Sequence, residues 1–126
     1  MTTVAPVART VCDDPVVLDR WYPVCTDSEL DDGTATRLLG ADIICALGRD
    51  GSPHIRCGDR DLPVRRRYGF VWTTLGAPQR AVFTIDEADE PDRRFVPCGW
   101  VTLRSSPGRI VENFLDMAHF PFVHTG

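Results

Sequence analysis

Turn-forming residues divide this 126-residue chain into short apolar runs, and that punctuation constrains its fold more than any other feature. Asp31-Asp32-Gly33, Arg49-Asp50-Gly51, Gly76-Ala77-Pro78 and Ser105-Ser106-Pro107-Gly108 are clusters of residues that tolerate or impose bends. Between them, Leu38-Leu39 and Ile43-Ile44 flank Gly40 and Asp42, which predicts a strand, a tight bend and a second strand over residues 36–47. Residues 62–75 read as a further strand region, because Val64, Tyr68, Phe70, Val71 and Trp72 are β-branched or aromatic. A short strand over 81–85, an exposed loop over 86–94 and an extended run over 95–103 complete the expected β part. Beyond Gly108 the period changes. Ile110, Val111, Phe114, Leu115, Ala118 and Phe122 recur every three or four residues, the spacing of a helix that Pro121 should end or distort.

Several function classes carry no support. The formal net charge is -4, so no electrostatic case exists for nucleic acid or an anionic membrane as a partner. The run Arg65-Arg66-Arg67 is too short to change this. No apolar stretch approaches the roughly 20 residues needed to cross a bilayer, and residues 1–10 lack the apolar region of a secretory signal. A soluble, cytoplasmic chain is expected. Five cysteines, Cys12, Cys25, Cys45, Cys57 and Cys98, occur in an odd number with no Cys-x-x-Cys pair. A disulfide framework of the secreted kind is a poor reading; small buried hydrophobes or idle surface groups are the better one.

Chemistry concentrates near the C-terminus, in Glu112-Asn113-Phe114-Leu115-Asp116-Met117-Ala118-His119-Phe120-Pro121-Phe122-Val123-His124. Asp116 and His119 are three apart and would share a face of a continuous helix. His124 would need the break at Pro121 to swing it back beside His119. Two imidazoles converging in an apolar setting suit a divalent transition metal, and two histidines with one carboxylate form the facial triad of non-haem Fe(II) oxygenases. The bland alternative is that both histidines cap or flank a helix end.

The pattern Asn113-x-x-Asp116-x-x-His119-x4-His124, preceded by Glu112, closely resembles the iron motif of Rieske non-haem iron oxygenases, the α-subunits of ring-hydroxylating dioxygenases and of O-demethylases such as vanillate demethylase. Asp19-Arg20-Trp21-Tyr22-Pro23-Val24 resembles that family's opening Trp-x-Pro segment. Leu38-Leu39-Gly40-Ala41-Asp42-Ile43-Ile44 resembles its first strand pair, and Tyr68-Gly69-Phe70-Val71-Trp72 the strand that closes its Rieske domain. The resemblance implies a mainly β chain: a lead-in over 1–15, a truncated antiparallel Rieske-like domain over 16–104, and over 105–126 the start of a catalytic domain with its iron-ligand helix. It implies His119 and His124 as ligands of a mononuclear Fe(II). Asp116 would be the bridge for electron transfer to that iron, and Asn113 a polar group near the ligands. The implied activity is O2-dependent hydroxylation or oxidative demethylation of an aromatic or similar apolar substrate, with electrons from a reductase.

Two departures limit what the resemblance carries. A Rieske [2Fe-2S] centre needs two cysteines and two histidines, which the family supplies as Cys-x-His and Cys-x-x-His. Neither pair occurs here. The only further histidine, His54, lies in His54-Ile55-Arg56-Cys57, in the wrong order. The interval between Leu47 and Leu62, where the cluster loops belong, is as short as an ordinary connection, and His54 and Cys57 are expected to be loop residues without a ligand role. No [2Fe-2S] cluster is expected. The family's third iron ligand, a carboxylate far downstream, is also missing. The chain is therefore expected to be a fragment or split piece, inactive alone, completed by a second chain or associated with intact α-subunits. A non-catalytic interaction module of the same descent, and a decayed, unstably folded product, are the alternatives.

Overall fold

The computed structural model describes residues 11–96 and 98–116. Among these residues seven strands form two antiparallel sheets: β1 (Tyr22–Thr26), β2 (Thr34–Leu38), β3 (Ala41–Leu47), β4 (Pro53–Cys57), β5 (Arg60–Leu62), β6 (Val64–Arg67) and β7 (Phe70–Thr73). One sheet has the order β1-β7-β6, the other β2-β3-β4-β5. Two helices flank them, α1 (Pro15–Leu18) and α2 (Pro107–Leu115). The mainly β, antiparallel class read from the sequence is the class observed, with one helix after the strands.

Three hairpins close in two residues each. Leu38 pairs with Ala41, Cys57 with Arg60 and Arg67 with Phe70, which leaves Leu39-Gly40, Gly58-Asp59 and Tyr68-Gly69 as the loops. Leu39 and Gly40 sit at φ 50° and 89°, Tyr68 and Gly69 at φ 57° and 74°. Two successive positive φ values are what a type I′ turn requires, and its twist matches that of the flanking strands. Leucine and tyrosine are uncommon there and cost about 1–2 kcal/mol each relative to glycine.

The core lies between the sheets. In β3, Ala41, Ile43 and Cys45 are buried while Asp42 and Ile44 face outward, the period of two expected of a half-buried strand. Leu30, Ile55, Leu62, Val71 and Cys25 join them. Central strand β7 is buried more continuously, through Val71, Trp72 and Thr73, and Phe83 and Trp100 pack against Trp72 and Phe70. Trp72 packs edge-on against Phe83 at 5.6 Å, Tyr68 stacks on Phe83 at 5.9 Å, and Phe70 meets Trp100 edge-on at 5.1 Å. The buried hydroxyls are satisfied: Thr73 Oγ1 donates to Pro63 O at 2.7 Å and Thr74 Oγ1 to Leu18 O at 2.9 Å.

The strand map differs from the sequence reading in four places. Residues 62–75 are not one strand region but a tight hairpin, β6 and β7, entered from β5. Residues 48–61, expected as a plain connection, hold β4 and the start of β5, so His54 and Cys57 are strand residues. Among the described residues of 81–85 and 95–103 there is no ladder; ring packing of Phe83, Phe95 and Trp100 and side-chain hydrogen bonds engage them instead. Residues 86–94 include a 3-10 turn over Asp86–Asp89.

Candidate functional site

Helix α2 begins at a break rich in stop signals. Ser106 is its N-cap, with Oγ accepting from Arg109 N at 3.4 Å, and Pro107 occupies the first turn, where its missing N–H costs nothing. Arg109 and Glu112 form an exposed ion pair at 3.4 Å. Helical backbone ends at Leu115. Asp116 is the C-cap, at φ -81° and ψ 87°, its N–H bonded to Glu112 O at 3.0 Å. The chain leaves the helical path at Asp116; the shared face expected of Asp116 and His119 involves a residue outside those described. His119, His124 and the expected break at Pro121 lie outside the described residues. Val111, Phe114 and Leu115 project from α2 into solvent, the last two at 73% and 75% exposure.

The interval where a cluster would belong is fully described. Strands β4 and β5 pair in register through Ile55–Leu62, Arg56–Asp61 and Cys57–Arg60, and Gly58 at φ 58° lets the chain reverse immediately. His54 and Cys57 are three apart in β4, so their side chains point to opposite faces. His54 faces outward at the other end of the strand. Its Nε2 lies 3.2 Å from Ser52 Oγ and 3.8 Å from Asp50 Oδ1, and its ring lies over Gly48. The two Ser52 groups, N at 3.1 Å and Oγ at 2.6 Å, donate to Asp50 and hold its carboxyl below the ordinary range. Cys57 packs inward against the core. Cys25 and Cys45 are enclosed between the sheets at 1% and 0% exposure. Among the described residues no group of three or more His, Cys, Asp or Glu side chains could hold a metal ion. A Rieske centre requires two thiolates and two imidazoles on one small cluster; the residues of this hairpin do not fit it.

Contacts that the sequence reading missed include one centred on Glu29. Its carboxylate accepts from Thr26 N at 2.6 Å, Thr26 Oγ1 at 2.9 Å and Trp100 Nε1 at 3.0 Å. Those bonds, the Thr26 amide first, hold its pKa down against desolvation. Thr26-x-x-Glu29 is a capping box, a signal present in the sequence; its link to Trp100 is not. An open cleft of about 680 Å3 lies between α1 and residues 79–83, walled by Trp21, Trp72, Val82 and Phe83, with Arg20 and Arg80 at its rim. No helix among the described residues is long and apolar enough to cross a membrane.

No family model matches the chain. Over 117 residues, 90% of its length, it is 41% identical to the probable methylxanthine N7-demethylase NdmC of Pseudomonas sp. (strain TJI-51). The chain spans 41% of the length of that relative. The alignment with this probable demethylase runs along nearly the whole of the chain.

Proposed function

We propose that this chain is a piece of a Rieske-type oxygenase α-subunit whose activity is O2-dependent oxidative demethylation, with an N-methylated aromatic heterocycle of the methylxanthine kind as substrate. The observation that carries the reading is the 41% identity with a demethylase over 90% of the chain. In this proposal residues 16–104 are a reduced cluster domain, residues 105–126 open the catalytic domain, and 1–15 are a lead-in.

His119 and His124 would hold a divalent iron, for which two neutral imidazoles are suitable donors. Iron so held would supply the activation of dioxygen. Asp116, directly after α2, would link that site to its source of electrons. A third ligand and the substrate pocket would belong to sequence corresponding to the part of the relative that this chain does not span. Because the β4–β5 hairpin offers no ligand set for a [2Fe-2S] cluster, electrons would come from a donor other than this chain, a reductase or an intact α-subunit. The isolated chain would then be inactive. Anaerobic titration with Fe(II) tests the metal assignment. Wild-type protein should bind, and His119→Ala should weaken binding by at least about tenfold; equal binding by both would end the proposal.

One observation favours a second reading, a non-catalytic interaction module of the same descent. The exposed apolar side of α2, Val111, Phe114 and Leu115, is a surface that association with another subunit would bury. Co-purification with an intact α-subunit in the absence of bound iron would select it.

A further inference from the structure

Trp21, shortly after α1, is fixed from two directions. Its Nε1 donates to Arg80 O at 2.9 Å, and the Arg65 guanidinium lies over its ring, 5.4 Å from the centroid. The indole N–H is thereby spent, and the ring serves the cleft between α1 and residues 79–83 as an apolar wall. Val16 and Phe83, also at the cleft, stay 65% and 58% exposed. The space of about 680 Å3 lies within the ~300–1,000 Å3 usual for small-molecule sites. The guanidiniums around Trp21 are uncompensated. Among the described residues Arg20, Arg65 and Arg80 form no ion pair, whereas Arg66 and Arg67, next to Arg65 on β6, pair with Asp27 and Asp89. Arg20 Nε donates only to Val16 O, at 3.2 Å. The carboxylate among the lining residues, Asp19, already accepts from Ala77 N at 2.8 Å. Three cations thus surround an aromatic wall with one carboxylate among them.

We propose that this cleft binds a free nucleoside monophosphate, with its base against Trp21 and Phe83 and its phosphate held by Arg20 and Arg80. A planar base presents a π-face to an aromatic side chain, and stacking of this kind tolerates any base. The choice of anion follows from the two guanidiniums at the rim. A carboxylate has two oxygens, which one guanidinium can satisfy in a bidentate pair. A phosphate monoester has three terminal oxygens and about two negative charges at neutral pH, which suits two guanidiniums arriving from separate segments. A base with its ribose also fills more of a cleft this size than a single ring does. Binding is the whole of the proposal; no bond is made or broken, no metal takes part, and it does not rest on the oxygenase reading.

The test is calorimetric titration of the full chain with adenosine 5′-monophosphate, adenosine and inorganic phosphate, alongside NMR spectra of the tryptophan indole N–H signals. The nucleotide should bind at least about tenfold more tightly than either half of it, and more weakly as salt is added. Its binding should shift the indole signal of Trp21 and leave that of Trp100, which is bonded to Glu29, in place. Arg20→Gln and Arg80→Gln should each weaken the nucleotide by about tenfold and leave adenosine as it was. If either variant does not fold, the wild-type spectra and the three ligands decide alone. Absence of saturable binding at millimolar nucleotide, phosphate or adenosine binding as tightly as the nucleotide, a shift confined to Trp100, or undiminished binding by folded arginine variants would each overturn the proposal.

Discussion

The Trp100 indole donates to Glu29 Oε2 at 3.0 Å, joining residues 71 positions apart. The same carboxylate closes the capping box with Thr26. One ionised group thus orders the 3-10 turn after β1 and pins the chain leading to α2. Glu29 has a lowered pKa in the fold, so its contribution is present above the unfolded value of about 4.3 and is lost as pH falls through the folded value. Wild-type tryptophan fluorescence should show an acid transition below about pH 4. Glu29→Gln should lack it and be less stable by about 0.5–1 kcal/mol at neutral pH. An unchanged acid transition in the variant would assign it to another group.

Tyr68 holds the chain after β7 in place with one hydroxyl, which donates to Phe83 O at 3.0 Å and accepts from Ile85 N at 2.6 Å. Tyr68→Phe keeps the ring contacts and removes both bonds. Urea denaturation should show a loss of about 1–2 kcal/mol, and amide exchange at Ile85 should accelerate while that of β3 stays as it was.

Gly76 has no room for a side chain, because an added Cβ would meet Asp19 Oδ1 and the Leu18 backbone. Asp19 in turn accepts from Ala77 N at 2.8 Å. Gly76→Ala should lower stability by about 1–3 kcal/mol. Gly108→Ala, in α2 with open space around it, should be neutral or stabilise by up to about 1 kcal/mol, the helix-propensity gain. Thermal melts of the two variants side by side check the contrast.

Phe114 contributes little to the fold, being largely in solvent. Phe114→Asp should leave stability within about 0.5 kcal/mol and reduce self-association in light scattering. A large loss of stability would place the side chain in the core.

The strand, bend and second strand over 36–47 and the helical spacing of Val111, Phe114 and Leu115 were legible in the sequence because each depends on local residue pattern. Gly40 and Gly51 marked turns for the same reason. The two-residue turn at Tyr68-Gly69 was hidden by tyrosine in a position that glycine or asparagine usually fills, so 62–75 read as one strand region. Residues 81–85 and 95–103 have strand-like composition, yet Phe83, Phe95 and Trp100 serve as a cover over β6 and β7, which depends on tertiary packing. His54 and Cys57 read as loop residues because the expectation attached to the missing cluster loops, whereas Ile55 opposite Leu62 makes the interval a strand pair. The end of α2 was not legible, because the C-cap at Asp116 is a backbone event that residues 112–116 do not advertise. The ligand assignments to His119 and His124 rest on the motif alone.

The tight reversal at Gly58-Asp59 also bears on how readily this scaffold accepts new sequence. Strands β4 and β5 hold their alignment up to Cys57 and Arg60, so added residues there would leave as a surface excursion. Closing a flexible loop costs only about 0.6 kcal/mol more for each doubling of its length. The reversal is thus a port at which inserted residues would leave the alignment of the sandwich beneath as it is.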